Sequence, residues 1–222
     1  MARRRRRRII WRRFLCFLAV CGLLIGGLIY GGVKLLVPAA DLAMQKMYPR
    51  AYQDLIEAYS EEYEVDKNLI YAVCKIESNF QADAESEVGA RGVMQMMKPA
   101  FEWVQYRMAD DSGTTYDEIY DLEVAIKYGT YMLSLLQEEM GDDERLILAA
   151  YHAGMGAVQN WLKDPQYSSD GETLETIPYS DTNCYVDKVL ETKAIYEELY
   201  YFCKYFRKVE NTCCRNRQNR VK

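Results

Sequence analysis

Glu77 is the residue best placed by its neighbours to do chemistry. Around it, Leu69, Ile70, Val73, Ile76 and Phe80 recur at helical spacing and define one apolar stripe. At 100° per residue Glu77 falls between Ile70 and Val73, inside the stripe rather than opposite it. A carboxylate there is partly desolvated, which disfavours its charge and raises its pKa. The last turn of a helix adds the negative end of the helix dipole, which pushes the same way. A carboxylic acid that keeps its proton near neutral pH is suited to general acid catalysis. The structural alternative is an acid at the edge of a core stripe whose carboxylate reaches water or caps a neighbour.

The elements that must present this acid are helical. Tyr52, Leu55, Ile56, Tyr59 and Tyr63 share a helical stripe, and Asp66 stands where a cap for the Glu77 helix belongs. A loop from Gln81 to Gly92 holds two glycines, with a short hairpin around Val88–Val93 as an option. Pro99 then opens a helix carrying Phe101, Trp103, Val104 and Met108. From Asp121 to Met140 apolar residues keep one face and Gly141 ends the run, as expected of a central buried helix. Further helices are expected from Glu144, through Val158 and Trp161, and after Ile177, with a frayed basic tail from Lys204. No strand alternation or repeat stands out, and the fold class is mainly α.

Charge divides the 222 residues into three parts. Residues 1–40 carry +9, residues 204–222 carry +6, and the body between carries −20. A body this acidic excludes a nucleic-acid groove, which needs a basic face. The block Arg3–Arg8, with Arg12 and Arg13, precedes an apolar run from Phe14 to Val37 broken only by Lys34. That length suffices to cross a bilayer, and the arginines should remain cytoplasmic, leaving the body outside. The expected organisation is a basic segment (1–13), a transmembrane anchor (14–37), a linker (38–49), a catalytic domain (50–203) and a basic tail (204–222). A signal peptide cleaved near Val37-Pro-Ala-Ala40 is the alternative to the anchor, and a lipoprotein reading of Leu18-Ala-Val-Cys21 is weaker because the run continues past it. Cys74, Cys184, Cys203, Cys213 and Cys214 follow the span, and Cys74 with Cys184 is one conceivable bridge. A single His and no CxxC pair leave no plausible zinc site, and no cofactor is implied.

Four separated pieces recur in order: Ile76-Glu-Ser78, Gly89-Ala-Arg-Gly-Val-Met-Gln95, Ala150-Tyr-His-Ala-Gly154, and Ile177-Pro-Tyr-Ser-Asp-Thr-Asn-Cys-Tyr-Val186. Together they resemble the soluble lytic transglycosylase family, over about residues 50–200. The resemblance implies a lysozyme-like, goose-type helical domain acting on peptidoglycan glycan strands. Such enzymes cleave the β-1,4 bond between N-acetylmuramic acid and N-acetylglucosamine and leave a 1,6-anhydro end. Carried over by position, Glu77 becomes the sole catalytic acid and base. Ser78, Gln95 and Tyr151 would line the cleft, Met94 would pack at its floor, and Tyr185 would lie close to the acid. Gly92 would let the backbone approach the sugar, and His152 would touch substrate. The family usually has Asn at position 152 and Glu at position 181, so His152 and Asp181 are departures. His152 is read equally as a hydrogen-bonded packing residue, and it would add pH dependence if it holds substrate. A hydrolytic muramidase using Asp83, Glu85 or Glu87 as a second carboxylate is the nearest competitor. A non-catalytic wall-binding protein is the competitor from another class. A secretion or wall-machinery partner is left unnamed.

Overall fold

The structure, a computed structural model, describes residues 17, 21, 22, 24–27, 31 and 40–218, with side chains up to residue 200. It divides into two units, Met1–Pro49 and Arg50–Lys222. In the first unit, residues 40–47 of the expected linker are helical. The basic segment 1–13 and most of the expected span 14–37 lie outside the described residues. Among the described residues, no helix is long and apolar enough to cross a membrane.

The second unit is helical throughout. Its elements are α1 (Gln53–Glu62), α2 (Lys67–Ser78), α3 (Lys98–Met108), a 3-10 turn (Tyr116–Tyr120), α4 (Leu122–Met140), α5 (Glu144–Ala153), α6 (Met155–Leu162) and α7 (Ser180–Gln218). Local chemistry sets several of these ends. The Asp66 carboxylate accepts from Asn68 N at 2.9 Å and opens α2. Asp121 accepts from the Glu123 and Val124 amides and opens α4, and Gly141 closes it. A proline follows the start of α3, where its missing N–H costs no hydrogen bond.

The core forms where α4 meets its neighbours. Ala125, Ile126, Tyr128, Leu133, Leu135 and Leu136 of α4 are buried, and the Tyr128 ring stacks on Phe101 of α3 at 4.6 Å. α2 is buried around most of its circumference, from Leu69 through Cys74, and packs along α7. Its one departure from the expected stripe is Ile76, which is only half-buried. At Gly129 of α4 there is no room for a Cβ because the Met94 side chain occupies that space. The loop before α3 therefore docks through Met94 directly against the central helix.

Three expectations need correction. No hairpin forms around Val88–Val93, and among the described residues no strand forms at all. Arg91 makes two isolated bridges, to Glu85 and to Met96. Positive φ at Gly89, Gly92 and Gln95 turns the backbone too often for a ladder to extend. Cys74 and Cys184 do not pair, since Cys74 is buried inside α2 and Cys184 is exposed on α7. The backbone helix of α7 does not end at Lys204 but runs on to Gln218.

Candidate active site

Glu77 sits in the last turn of α2. The helix ends immediately after it because Asn79 and Phe80 both adopt left-handed backbone, φ 52° and 64°. Burial pushes the Glu77 carboxyl up to about 7, against a smaller opposing pull from Tyr185. Near neutral pH the group therefore holds a proton much of the time. Two tyrosines feel its charge. Burial first, and Glu77 second, hold Tyr151 and Tyr185 well above the ordinary phenol value, so both remain protonated donors. Tyr151 gives its hydroxyl to the Met94 carbonyl at 2.8 Å. The Tyr185 hydroxyl is sealed from water and meets no partner at hydrogen-bonding geometry, yet it lies near enough to Glu77 to couple with it. A buried hydroxyl without a full partner is costly and calls for an explanation.

The expected cleft residues gather around one loop backbone. Ser78 is 8 % exposed, and its hydroxyl donates to the Val93 carbonyl at 2.7 Å and to Cys74 O at 3.3 Å. It latches α2 to the loop. Gln95 gives its side-chain amide to the carbonyls of Ala84 and Gly92, at 3.1 and 3.0 Å. Gly92 is tied to the 3-10 turn. At φ 78° a Cβ there would collide with the Ile119 carbonyl oxygen, so the close approach it permits is to the 3-10 turn. Ser78, Gln95 and Tyr151 thus fix successive loop carbonyls beside the acid. His152 places Nδ1 3.1 Å from the Thr182 hydroxyl and stacks its ring on Tyr185 at 4.5 Å.

The candidate second carboxylates are differently arranged. Asp83, Glu85 and Glu87 are all exposed on the loop after α2. Glu85 accepts from Arg91 Nε at 3.1 Å and from the Tyr120 hydroxyl at 2.9 Å. Tyr120, then Arg91, hold its carboxyl below the usual range. Arg91 also reaches Asp117 at 3.1 Å and lies over the rings of Tyr116 and Tyr120. Glu85 is a strut. Among the described residues, no group of three or more His, Cys, Asp or Glu is placed to hold a metal ion.

A second ionic node was not foreseen. Lys193 of α7 contacts Asp66 at 3.0 Å, Glu144 at 2.6 Å and Glu197 at 3.2 Å. Burial works against its charge, but Glu144 and Asp66 outweigh that and hold its pKa above lysine's ordinary value. Asp66 caps the Glu77 helix and Glu144 opens the Tyr151 helix. One ammonium therefore ties together the starts of the two helices that carry Glu77 and Tyr151. A lone lysine on a helix gives no sequence signal of this, because its partners come from distant segments.

Residues 54–173 match the family described as the transglycosylase SLT domain. The chain is similar to the soluble lytic murein transglycosylase of Escherichia coli (strain K12), 30% identical over 154 residues that make up 69% of this chain and 24% of that protein. It is also similar to membrane-bound lytic murein transglycosylase F of Cellvibrio japonicus, 31% identical over 53% of this chain and 23% of that protein. Among solved structures, the 70 kDa soluble lytic transglycosylase of Escherichia coli superposes with a TM-score of 0.63 at 26% identity, covering 71% of this chain and 26% of that one. The lytic transglycosylase Slt of Pseudomonas aeruginosa, solved as an inactive glutamate-to-glutamine mutant, gives 0.61 at 30% identity over 68% and 24%. The chain spans about a quarter of the length of these curated relatives. The shared lysozyme-like helical fold agrees with the architecture expected from the sequence.

Proposed function

This chain belongs to the transglycosylase SLT family, and on that premise we propose that it is a peptidoglycan lytic transglycosylase with Glu77 as its single acid and base. The observation that carries the reading is the seat of Glu77 in the last turn of α2, beside the loop held by Ser78 and Tyr151, where burial pushes its carboxyl up to about 7. Glu77 donates its proton to the glycosidic oxygen between N-acetylmuramic acid and N-acetylglucosamine, and the bond to C1 breaks. The resulting carboxylate takes a proton from the muramyl 6-hydroxyl as that oxygen attacks C1. The proton count closes on the enzyme, and the product carries a 1,6-anhydro end. No water enters. Because the nucleophile is already part of the sugar, its positioning costs little entropy.

Tyr151, Tyr185 and Gln95 border this chemistry in the proposal, with Met94 beneath them. Ser78 and Gly92 act instead by holding the loop. A relative of the same fold is inactive when one glutamate is changed to glutamine, as expected where a glutamate is essential. A hydrolase would need a second carboxylate free to activate water. Glu85 is engaged by Arg91 and Tyr120, and nothing favours Asp83 or Glu87. The arginine block and apolar run place the enzyme, in this reading, on the outer side of the cytoplasmic membrane with its N-terminus inside.

The test is digestion of purified peptidoglycan by the full chain in detergent, with products read by mass spectrometry. Muropeptides lighter by one water than hydrolytic products, absent with Glu77→Gln, are expected. Reducing-end muropeptides would make the enzyme a hydrolase and overturn the proposal.

A further inference from the structure

His152 follows Tyr151 in α5 and meets Thr182 and Tyr185 of α7. It occupies the last turn of α5, one residue after Tyr151. Its Nδ1 meets Thr182, which is 2 % exposed, and its ring lies on Tyr185, one helical turn further along α7. One imidazole thus touches Thr182 and Tyr185, a helical turn apart on α7. Tyr185 brings a buried hydroxyl that no group in this structure satisfies, coupled to the Glu77 carboxyl. A hydroxyl kept in that state must be held there by its ring, and the ring's polar clamp is His152.

We propose that His152 is a positioning residue: anchored on Thr182, its neutral imidazole sets the Tyr185 ring so that the Tyr185 hydroxyl stays directed to Glu77. This inference rests on the reading of Glu77 as the transglycosylase acid.

The charge state matters for a physical reason. In the tautomer with its proton on Nε2, neutral Nδ1 accepts a hydrogen bond from the Thr182 hydroxyl; in the imidazolium Nδ1 can only donate, and Thr182 has to turn. The imidazolium would also lie within cation–π range of the Tyr185 ring, and its positive field would favour the carboxylate form of Glu77. Both effects remove the arrangement needed for proton donation. The groups facing the imidazole are Thr182 and Tyr185 in contact and Asp181 through its charge, all from α7. Tyr151, before it on α5, has its hydroxyl committed to Met94. Burial lowers the His152 pKa and Asp181 opposes this, with the net shift downward. The neutral form is therefore the resident one at neutral pH.

The experiment is the pH dependence of kcat and KM for the full chain on purified glycan strands, wild type against His152→Asn, His152→Ala and Thr182→Val. Wild-type kcat should fall on the basic side as Glu77 loses its proton and on the acid side as His152 gains one. His152→Asn should lose the acid limb, keep the basic limb, and lower kcat at pH 7 on the order of threefold to tenfold with KM within about twofold. Thr182→Val, close in volume, should lower kcat in the same way while leaving KM near wild type. His152→Ala should lose more than His152→Asn, because an amide still bonds to Thr182. An acid limb unchanged in His152→Asn would overturn the inference. So would a raised KM with unaltered kcat, which would make His152 a substrate contact. If wild type forms no anhydro products at all, the parent reading falls and takes this one with it; anhydro products with an unchanged His152→Asn profile overturn this inference alone.

Discussion

Glu77 and Glu85 carry the same side chain a short loop apart and behave as opposites. Glu77 ends a buried helix, has no cation acting on it among the described residues, and is pushed up to about 7. Glu85 lies exposed, takes hydrogen bonds from Tyr120 and Arg91, and is held below the usual range. The difference teaches what separates a working acid from a structural one. Desolvation without a charge partner makes a proton available, whereas a cation and two donors remove any tendency to hold one. The loop that carries Glu85 is held where it returns past α2, through Ser78, Gln95 and Tyr151.

The contrast is broken most directly by neutralising each acid in turn. Glu77→Gln should lower the rate of anhydro-product release by about 10³-fold, while Glu85→Gln stays within about threefold. Equal losses would mean that Glu85 shares the chemistry. Gly92→Ala tests the loop backbone that follows Glu85 and packs beside Glu77's helix. Its collision with the Ile119 carbonyl and its positive φ should cost about 2–3 kcal/mol in denaturant unfolding.

Lys193→Met tests whether the acid's helix is held from its far end. Leaving Asp66 and Glu144 without their cation should cost about 2 kcal/mol at neutral pH, less as acid neutralises the carboxylates. The smallest effect sharpens the comparison through linkage. Glu77's pKa is raised in the fold, so its stabilising contribution is complete below the unfolded value and lost as pH rises through about 7. Glu77→Gln, always neutral, should therefore be more stable than wild type by on the order of 1–2 kcal/mol at pH 8, and no different at pH 4. Glu85 has the opposite sign: its contribution is present at neutral pH and lost on acidification. Thermal melts across pH measure both.

What could be read from the sequence was local. The stripe that buries Glu77, the Asp66 cap, and the Asp121 and Gly141 ends of the central helix follow from 3.6-residue periodicity and cap chemistry, and all appear in the structure. Ile76 belonged to the same stripe by spacing, yet it is only half-buried. The approach of Gly92 to the Ile119 carbonyl left no local trace, because its partner lies in another segment. The same holds for Ser78 on Val93, Tyr151 on Met94 and Lys193 on Asp66, whose partners are set by the packing of helices far apart in the chain. Two cysteines on adjoining helices suggested a bridge because spacing along the chain says nothing about the direction each thiol faces.

The central claim is that burial keeps a proton on Glu77 near neutral pH while Glu85 stays ionised. Carbon-detected NMR titration of the glutamate carboxyls, assigned with Glu77→Gln and Glu85→Gln, measures it directly. A Glu77 midpoint near 7, with Glu85 below the ordinary glutamate value of about 4.3, is the predicted result. A Glu77 midpoint at that ordinary value would contradict it, since the site would then hold no acid to give.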